Sequence, residues 1–455
     1  MAFEDTICAP ASAPGGALAI IRISGAEAVA AASALWRGRR PLAELPARYL
    51  ALGTLYGADD TLIDRSCLAV RMPEPHSYTG EDLVELHCHG GALTMHLALQ
   101  GLLSHGCRMA EPGEFTKRAF LNGKLDLSQA EAVADLISAG SAQALKLANI
   151  QLEGSFGRQI KQEYEQIIQI LTEIESRLDF PEEDLELDWL SPQQLQNNIA
   201  ALLLRLEKLL ASRRRGEIMR QGLNLAIAGP PNVGKSSLLN VILGQERAIV
   251  SEIPGTTRDS IEASVSLRGI PIRLIDTAGL RHSGDAIERI GMQHSRTNLA
   301  RADLIFWVMD ASQPLAEQLG NEELPPDKVI YVANKMDRLP EAPKSNPGDF
   351  SRGKLFYTCA LDGSGLERLY DELGARVWQG TGSESGEFCV SARHADCLQK
   401  AIAELQAALP MIEDQAWELA AANMQQAMVQ IGEIIGENVS DRILDAIFAK
   451  FCIGK

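Results

Sequence analysis

Absences narrow the class of this chain before any motif does. No run of 18 or more apolar residues occurs among its 455 residues, so no segment is predicted to cross a membrane. The opening MAFEDTICAP carries acidic residues where an export signal needs basic ones before an apolar stretch, and the expectation is an unexported, cytoplasmic chain with no membrane attachment. Eight cysteines are present (Cys8, Cys67, Cys88, Cys107, Cys359, Cys389, Cys397, Cys452) but no C-x-x-C pair, which argues against both a disulfide framework and a zinc ribbon. Positive charge is also in short supply: 43 Lys and Arg face 60 Asp and Glu, a net −17, whereas a protein that coats nucleic acid needs a basic excess to displace counterions. Two basic clusters remain, RGRR at Arg37–Arg40 and SRRRGE around Arg213–Arg215, each read as an RNA contact or, more simply, as a solvated loop or hinge.

What is there is an ordinary globular composition, 46% hydrophobic, in a chain too long for one core and expected to form about three domains. Residues 1–120 alternate short apolar runs such as ALAIIRIS and DLVELHCHGG with Gly and Pro, which predicts an α+β domain. Residues 121–216 read as helical. Phe156, Ile160, Tyr164, Ile167, Leu171, Ile174 and Leu178 recur at steps of four and three until Pro181. A second helix opens with Ser191 as cap, Pro192 in its first turn and Gln194 completing a capping box, and carries Leu195, Ile199, Leu202, Leu206 and Leu209. The two stripes are expected to pack together. Residues 217–380 alternate short buried strands (LNLAIAG, IRLIDTAG, LIFWVMD, KVIYVANKMD, KLFYTCA) with helices, the pattern of a doubly wound α/β domain. Residues 381–455 return to helix and are expected to complete the bundle begun before residue 215, with the α/β domain inserted between hinges near RRRG and GTGSESG.

The chemistry is concentrated in that insertion. GPPNVGKSSLLN, residues 229–240, follows a strand and opens a helix, so its backbone N–H groups over Asn232, Val233, Gly234, Lys235, Ser236 and Ser237 can surround phosphates. Lys235 would reach the outer phosphates and Ser236 a magnesium ion, which leaves ATP and GTP both open. NKMD decides for guanine: Asp337 can accept from both N1–H and the 2-amino group, while Asn334 and Lys335 shape the pocket. Thr358, Cys359 and Ala360, in TCAL, would complete the guanine side, with Cys359 and Ala360 standing where Ser-Ala is commoner. DTAG places Asp276, Thr277, Ala278 and Gly279 beside the magnesium and γ-phosphate, and GTTRD supplies Thr257 as the second hydroxyl on magnesium.

Taken together with YTGEDLVELHCHGG, GEFTKRAFLNGKLDLSQAEAVADLI, IVSEIPGTTRD, DTAGLRHSGDAIERIG and the terminal CIGK, these motifs resemble the MnmE (TrmE) family of tRNA-modification GTPases from the first residues to the last. The resemblance implies an N-terminal folate-binding and dimerisation domain, a discontinuous helical bundle and a Ras-like G domain. It implies a homodimeric GTPase activated by potassium, with Asn232, Ser251, Ile253 (through its carbonyl) and Thr256 as potassium ligands and Glu288 orienting the attacking water. His282 is a base by chemistry alone, or a surface loop histidine. On the folate side the resemblance points to Arg22, Glu85, Lys124 and Lys455, for a 5-formyl- or methylene-tetrahydrofolate. It further implies an FAD-dependent partner, MnmG (GidA), in a heterotetramer or larger assembly, and transfer of an aminomethyl or carboxymethylaminomethyl group to C5 of the wobble uridine of tRNA. Cys452 would add to C6 of that uridine, or is a buried thiol. The histidines of HCH share a strand face but have no identifiable third metal ligand. A purely regulatory GTPase is the rival reading, and a folate site with a working tail separates the two.

Overall fold

The computed structural model of the chain describes residues 5–13, 15–179, 189–245, 263–275, 299, 301–319, 324–340, 348–350, 353–378, 390–437 and 439–455. Its backbone divides into two units, one of Met1–Ala134, Leu152–Glu186 and Trp417–Lys455, the other of Asp135–Gln151 and Leu187–Ala416. No helix among the described residues is long and apolar enough to cross a membrane.

In the first unit, β1 (Thr6–Pro10), β2 (Leu18–Ser24), β3 (Trp36–Gly38), β4 (Ala51–Tyr56), β5 (Leu62–Met72), β6 (Leu83–His89) and β7 (Cys107–Met109) form one sheet in the order β3-β4-β5-β6-β2-β1-β7. All neighbours are antiparallel except β1 and β7. Alternation in LAIIRIS sends Ala19, Ile21 and Ile23 into a core shared with α1 (Ala28–Leu35) and α2 (Ala92–Ser104). The opposite alternation leaves Arg22 on the other face, and the register of β2 on β6 sets it directly across from Glu85. The basic cluster RGRR begins on β3, where Arg37 pairs with Asp60 and lies 4.3 Å from the centre of the Tyr56 ring.

Helices α3 (Glu114–Leu121), α4 (Leu127–Ser138), α5 (Ala142–Leu152) and α6 (Ser155–Asp179) follow, then α7 (Pro192–Ala211) and α8 (Arg213–Gln221). The capping box is as expected, with Gln194 N–H donating to Ser191 Oγ at 3.3 Å and Ser191 N–H to Gln194 Oε1 at 2.7 Å. SRRRGE is not a hinge: it is the first turn of α8, in which Arg213 pairs with Glu217 at 2.8 Å. Three consecutive arginines, with an acid one turn on from the first, favour helix over loop.

The second unit carries β8 (Leu223–Ala228), α9 (Lys235–Gln245), β9 (Ala263–Leu267), β10 (Ile270–Ile275), β11 (Leu304–Asp310), β12 (Val329–Asn334), β13 (Gly348–Phe350), β14 (Gly353–Tyr357) and α10 (Leu366–Trp378). The sheet runs β13-β14-β12-β11-β8-β10-β9, parallel except at its two edges. LIFWVMD and VIYVAN are buried at every position. Phe306, Val308, Ile330 and Val332 enter one core and Ile305, Trp307, Met309 and Tyr331 another, as a parallel sheet covered on both faces requires.

The chain ends in α11 (Ala392–Glu413), α12 (Trp417–Ile435) and α13 (Asp441–Phe448). These supply the partners for the two amphipathic stripes: α6 packs along α12, and α7 along α11. Each of the two consecutive stripes thus finds its partner beyond the α/β stretch, α6 within the first unit and α7 within the second.

Candidate functional site

The phosphate loop is fixed from the strand side. Gly229, at φ 138°, lies so close to β11 that a Cβ there would stand 2.0 Å from the Val308 carbonyl oxygen. Gly234, at φ 97°, faces the guanine loop, where a Cβ would meet Asn334 Nδ2 at 2.3 Å. Asn232 between them is left-handed at φ 64°, a conformation Asn tolerates better than most residues. Lys235 opens α9 and donates through Nζ to the carbonyls of Gly229 at 2.9 Å and Pro230 at 2.5 Å. Burial pushes its pKa down, a shift that a phosphate would oppose. Ser236 and Ser237 follow in the first turn of α9 and are exposed.

The guanine side is tied to the same loop. Asn334 is buried; its Nδ2 donates to the Val233 carbonyl at 2.9 Å and its Oδ1 accepts from Ala360 N–H at 3.0 Å. Thr358 is fully buried, its N–H donating to the Ala333 carbonyl at 2.9 Å. Lys335 takes a left-handed backbone, φ 64°, and its Nζ donates to the Asn232 carbonyl at 2.6 Å. Asp337 is exposed, and the Cys359 thiol, its pKa raised by burial, donates to Asp337 Oδ1 at 3.3 Å. Thus Asn232, Val233, Gly234, Lys235, Asn334, Lys335, Asp337, Thr358, Cys359 and Ala360 come together at one place, the candidate nucleotide site. Ser251, Ile253, Thr256, Thr257, Asp276, Thr277, Ala278, Gly279, His282 and Glu288 lie outside the described residues.

Sequence reasoning missed Asp310. It was read only as the end of a strand, yet its Oδ2 pairs with Lys335 Nζ at 2.7 Å. The signal was available, since an acid at the carboxyl end of a buried parallel strand stands where ligands bind in such sheets.

A second constellation lies in the first unit. Glu85 accepts from Arg22 Nε at 2.9 Å and Nη2 at 2.8 Å, and its other oxygen lies 3.3 Å from His87 Nε2. The His87 bond most of all, and then the Arg22 guanidinium working against burial, holds the Glu85 carboxyl below its usual range. Arg22 stands 5.5 Å from the Tyr78 ring centre and 5.7 Å from that of Phe115. Tyr78 had not been singled out. Lys124 does not join this pair by a direct bond: its Nζ donates to the Pro75 carbonyl at 3.0 Å, fixing the loop that carries Tyr78. His89 pairs instead with buried Asp64 at 2.9 Å, and no group of three metal-ligating side chains occurs among the described residues.

The terminal segment reaches the same place. Leu444, Phe448 and Phe451 sink into a core with Leu127, Ala130 and Val133, while Ser440 caps α13 by position without a side-chain bond. Gly113 N–H then donates to the Cys452 carbonyl at 3.4 Å, and Arg22 Nη1 to the Gly454 carbonyl at 3.3 Å. Gly454, at φ 92°, leaves no room for a side chain, since a Cβ would stand 1.9 Å from the Pro10 carbonyl oxygen. Cys452 is exposed, not buried, and Lys455 is half-buried.

Comparison with known proteins identifies the family. The family model of the MnmE helical domain matches residues 127–452, and that of the GTP-binding protein TrmE N-terminus matches residues 6–124. The tRNA modification GTPase MnmE of Clostridioides difficile (strain 630) is 40% identical over 463 residues, with 100% of each chain covered. That of Symbiobacterium thermophilum is 42% identical over 460 residues, covering 99% of this chain and 100% of the relative. Among solved structures, the G domain of the T. maritima FeoB iron transporter matches 35% of this chain and 99% of its own at 29% identity, with a TM-score of 0.24. With both family models matching in order and relatives aligned from end to end, this chain belongs to the MnmE family of tRNA modification GTPases.

Proposed function

We propose that this GTPase of tRNA modification works as a potassium-dependent homodimer and, with an FAD-dependent partner of the MnmG type, adds an aminomethyl or carboxymethylaminomethyl group to C5 of the wobble uridine. The observation that carries the reading is the meeting of Arg22, Glu85 and the Gly454 carbonyl, because it joins an acid and a base suited to a pterin and a carboxylate tail to the segment that bears Cys452. A tetrahydrofolate bound there would supply the one-carbon unit. Glu85 would accept from the donor edge of the pterin, Arg22 and Lys455 would bind carboxylate or formyl oxygen, and the exposed Cys452 is available to uridine. In the G domain Ser236 and Thr257 would hold magnesium, and Asn232, Ser251, Ile253 and Thr256 potassium. Glu288 would orient water. Residues 1–120, 121–216, 217–380 and 381–455 would serve as folate, first helical, GTPase and second helical segments.

Deleting residues 452–455 tests the reading. The truncated protein should hydrolyse GTP at its normal rate but leave wobble uridine unmodified when supplied with its partner and substrates, and Cys452→Ser should do much the same. A truncated protein that still modifies tRNA would make the tail structural only, and one that loses GTP hydrolysis would place the tail in the switch.

A further inference from the structure

In the G domain, the contacts of Lys335 are not explained by the base pocket alone. Lysine has a long, freely rotating stem, so a single carbonyl acceptor does not fix its ammonium group. Here the ammonium is shared between the Asn232 carbonyl at 2.6 Å and Asp310 Oδ2 at 2.7 Å. Asp310 is itself held at every polar atom. Its Oδ1 accepts from Ser312 N–H at 3.0 Å and Ser312 Oγ at 2.6 Å. Its backbone N–H donates to Gln318 Oε1 at 2.7 Å, and Gln318 Nε2 donates back to its carbonyl at 2.9 Å. Gln318 is buried and is anchored in turn by Trp307 Nε1, which donates to its carbonyl at 3.0 Å. Next along the chain, Ala311 N–H donates to the Asn334 carbonyl at 2.8 Å, so the ends of β11 and β12 are sewn together where the NKMD loop begins.

We infer that Asp310 is a positioning residue for nucleotide binding: it holds the Lys335 ammonium over the Asn232 carbonyl, so that the guanine loop and the phosphate loop are set as one rigid piece. Asn334 makes one bridge between the loops, to Val233, and its own partners are backbone groups. The Lys335 bridge, to Asn232, depends on a side chain 25 residues upstream. Two consequences follow from the chemistry. A carboxylate gives a charge-assisted bond of fixed direction, which a neutral amide at the same place would weaken. And because Asp310 touches only protein groups of the loop junction, its removal should alter affinity much more than turnover.

The test uses the full-length protein, with GDP binding measured calorimetrically and GTP hydrolysis measured at saturation. Asp310→Asn should weaken GDP binding by about tenfold, the size of one charge-assisted bond, and raise KM for GTP similarly while kcat moves by less than about threefold. In a Lys335→Met background the same change should cause no further loss, because the effect passes through the lysine. Ser312→Ala should produce a smaller loss of the same kind, and it replaces Asp310→Asn in the cycle with Lys335→Met if that variant does not fold. Wild-type affinity in Asp310→Asn, or losses that multiply in the double variant, would overturn the assignment.

Discussion

A sulfur atom stands behind Asp337, the residue proposed to read guanine. Thiols donate weakly, and Cys359 is the group that orients Asp337 Oδ1 at 3.3 Å. Cys359→Ser supplies a stronger donor in nearly the same volume and should tighten GDP binding by roughly two- to fivefold, the effect of improving one hydrogen bond. Cys359→Ala should weaken it, and identical dissociation constants for all three proteins would remove Cys359 from recognition. For Asp337→Asn the acceptor pattern is inverted, so guanine loses its match and xanthine gains one. Hydrolysis of XTP overtaking that of GTP is the expected outcome, and unaltered GTP preference would move base reading elsewhere. That Asp337 and Cys359 would meet was legible because each stands in a motif expected to face the same ligand. Gln318 and Tyr78 were not, because they contact protein groups brought near by the fold, and no local pattern records that; for Asp310 only its place at the end of a buried strand pointed to the site.

Among the elements, α3 shows how charge can hold a segment onto a sheet. Its Arg118 is fully buried and bonds Asp5 at 2.7 Å and Glu114 at 3.0 Å, while Arg108 on β7 meets the same Glu114 at 2.6 Å. Burial alone would raise the Glu114 carboxyl, but bonds from Arg108, the Glu111 N–H and Arg118 outweigh it and hold the carboxyl below its usual range. A carboxyl whose pKa is lower folded than unfolded adds stability in full at neutral pH. That contribution is lost as pH falls through the folded value. Glu114→Gln should therefore lower the calorimetric midpoint of the N-terminal transition at pH 7 and flatten its decline between about pH 5 and 3. An unchanged slope would show that other carboxylates govern acid unfolding. At this scale, period and caps gave α6 and α7 reliably, since their stripes are long and unmixed. Arg213–Arg215 lie in a helix rather than the expected solvated loop, as helix propensity favours, and while the C-terminal helices were expected to complete the bundle, which of them meets α6 was not legible because the partner lies far along the chain.

For the molecule as a whole, the proposed activation of one G domain by a second around potassium would make hydrolysis depend on the monovalent cation. On that proposal turnover should be faster in potassium than in sodium at equal ionic strength, since the smaller ion would fit a ligand set of Asn232, Ser251, Ile253 and Thr256 poorly. Equal rates in the two salts would refute the potassium reading.

The pairing of α6 with α12 also bears on how the protein is made. The apolar stripe of α6 is complete once residue 179 has been synthesised, but its partner begins only at residue 417. At ribosomal speeds of about 5–20 residues per second, that helix waits for roughly tens of seconds with Ile160, Ile167 and Ile174 still to be covered. The unit that holds Arg22 and Glu85 is therefore completed only after every strand of the β8–β14 sheet has been synthesised. Nascent chains stalled before residue 417 should accordingly remain bound to chaperones that recognise exposed apolar helices, even when their G domains already bind nucleotide.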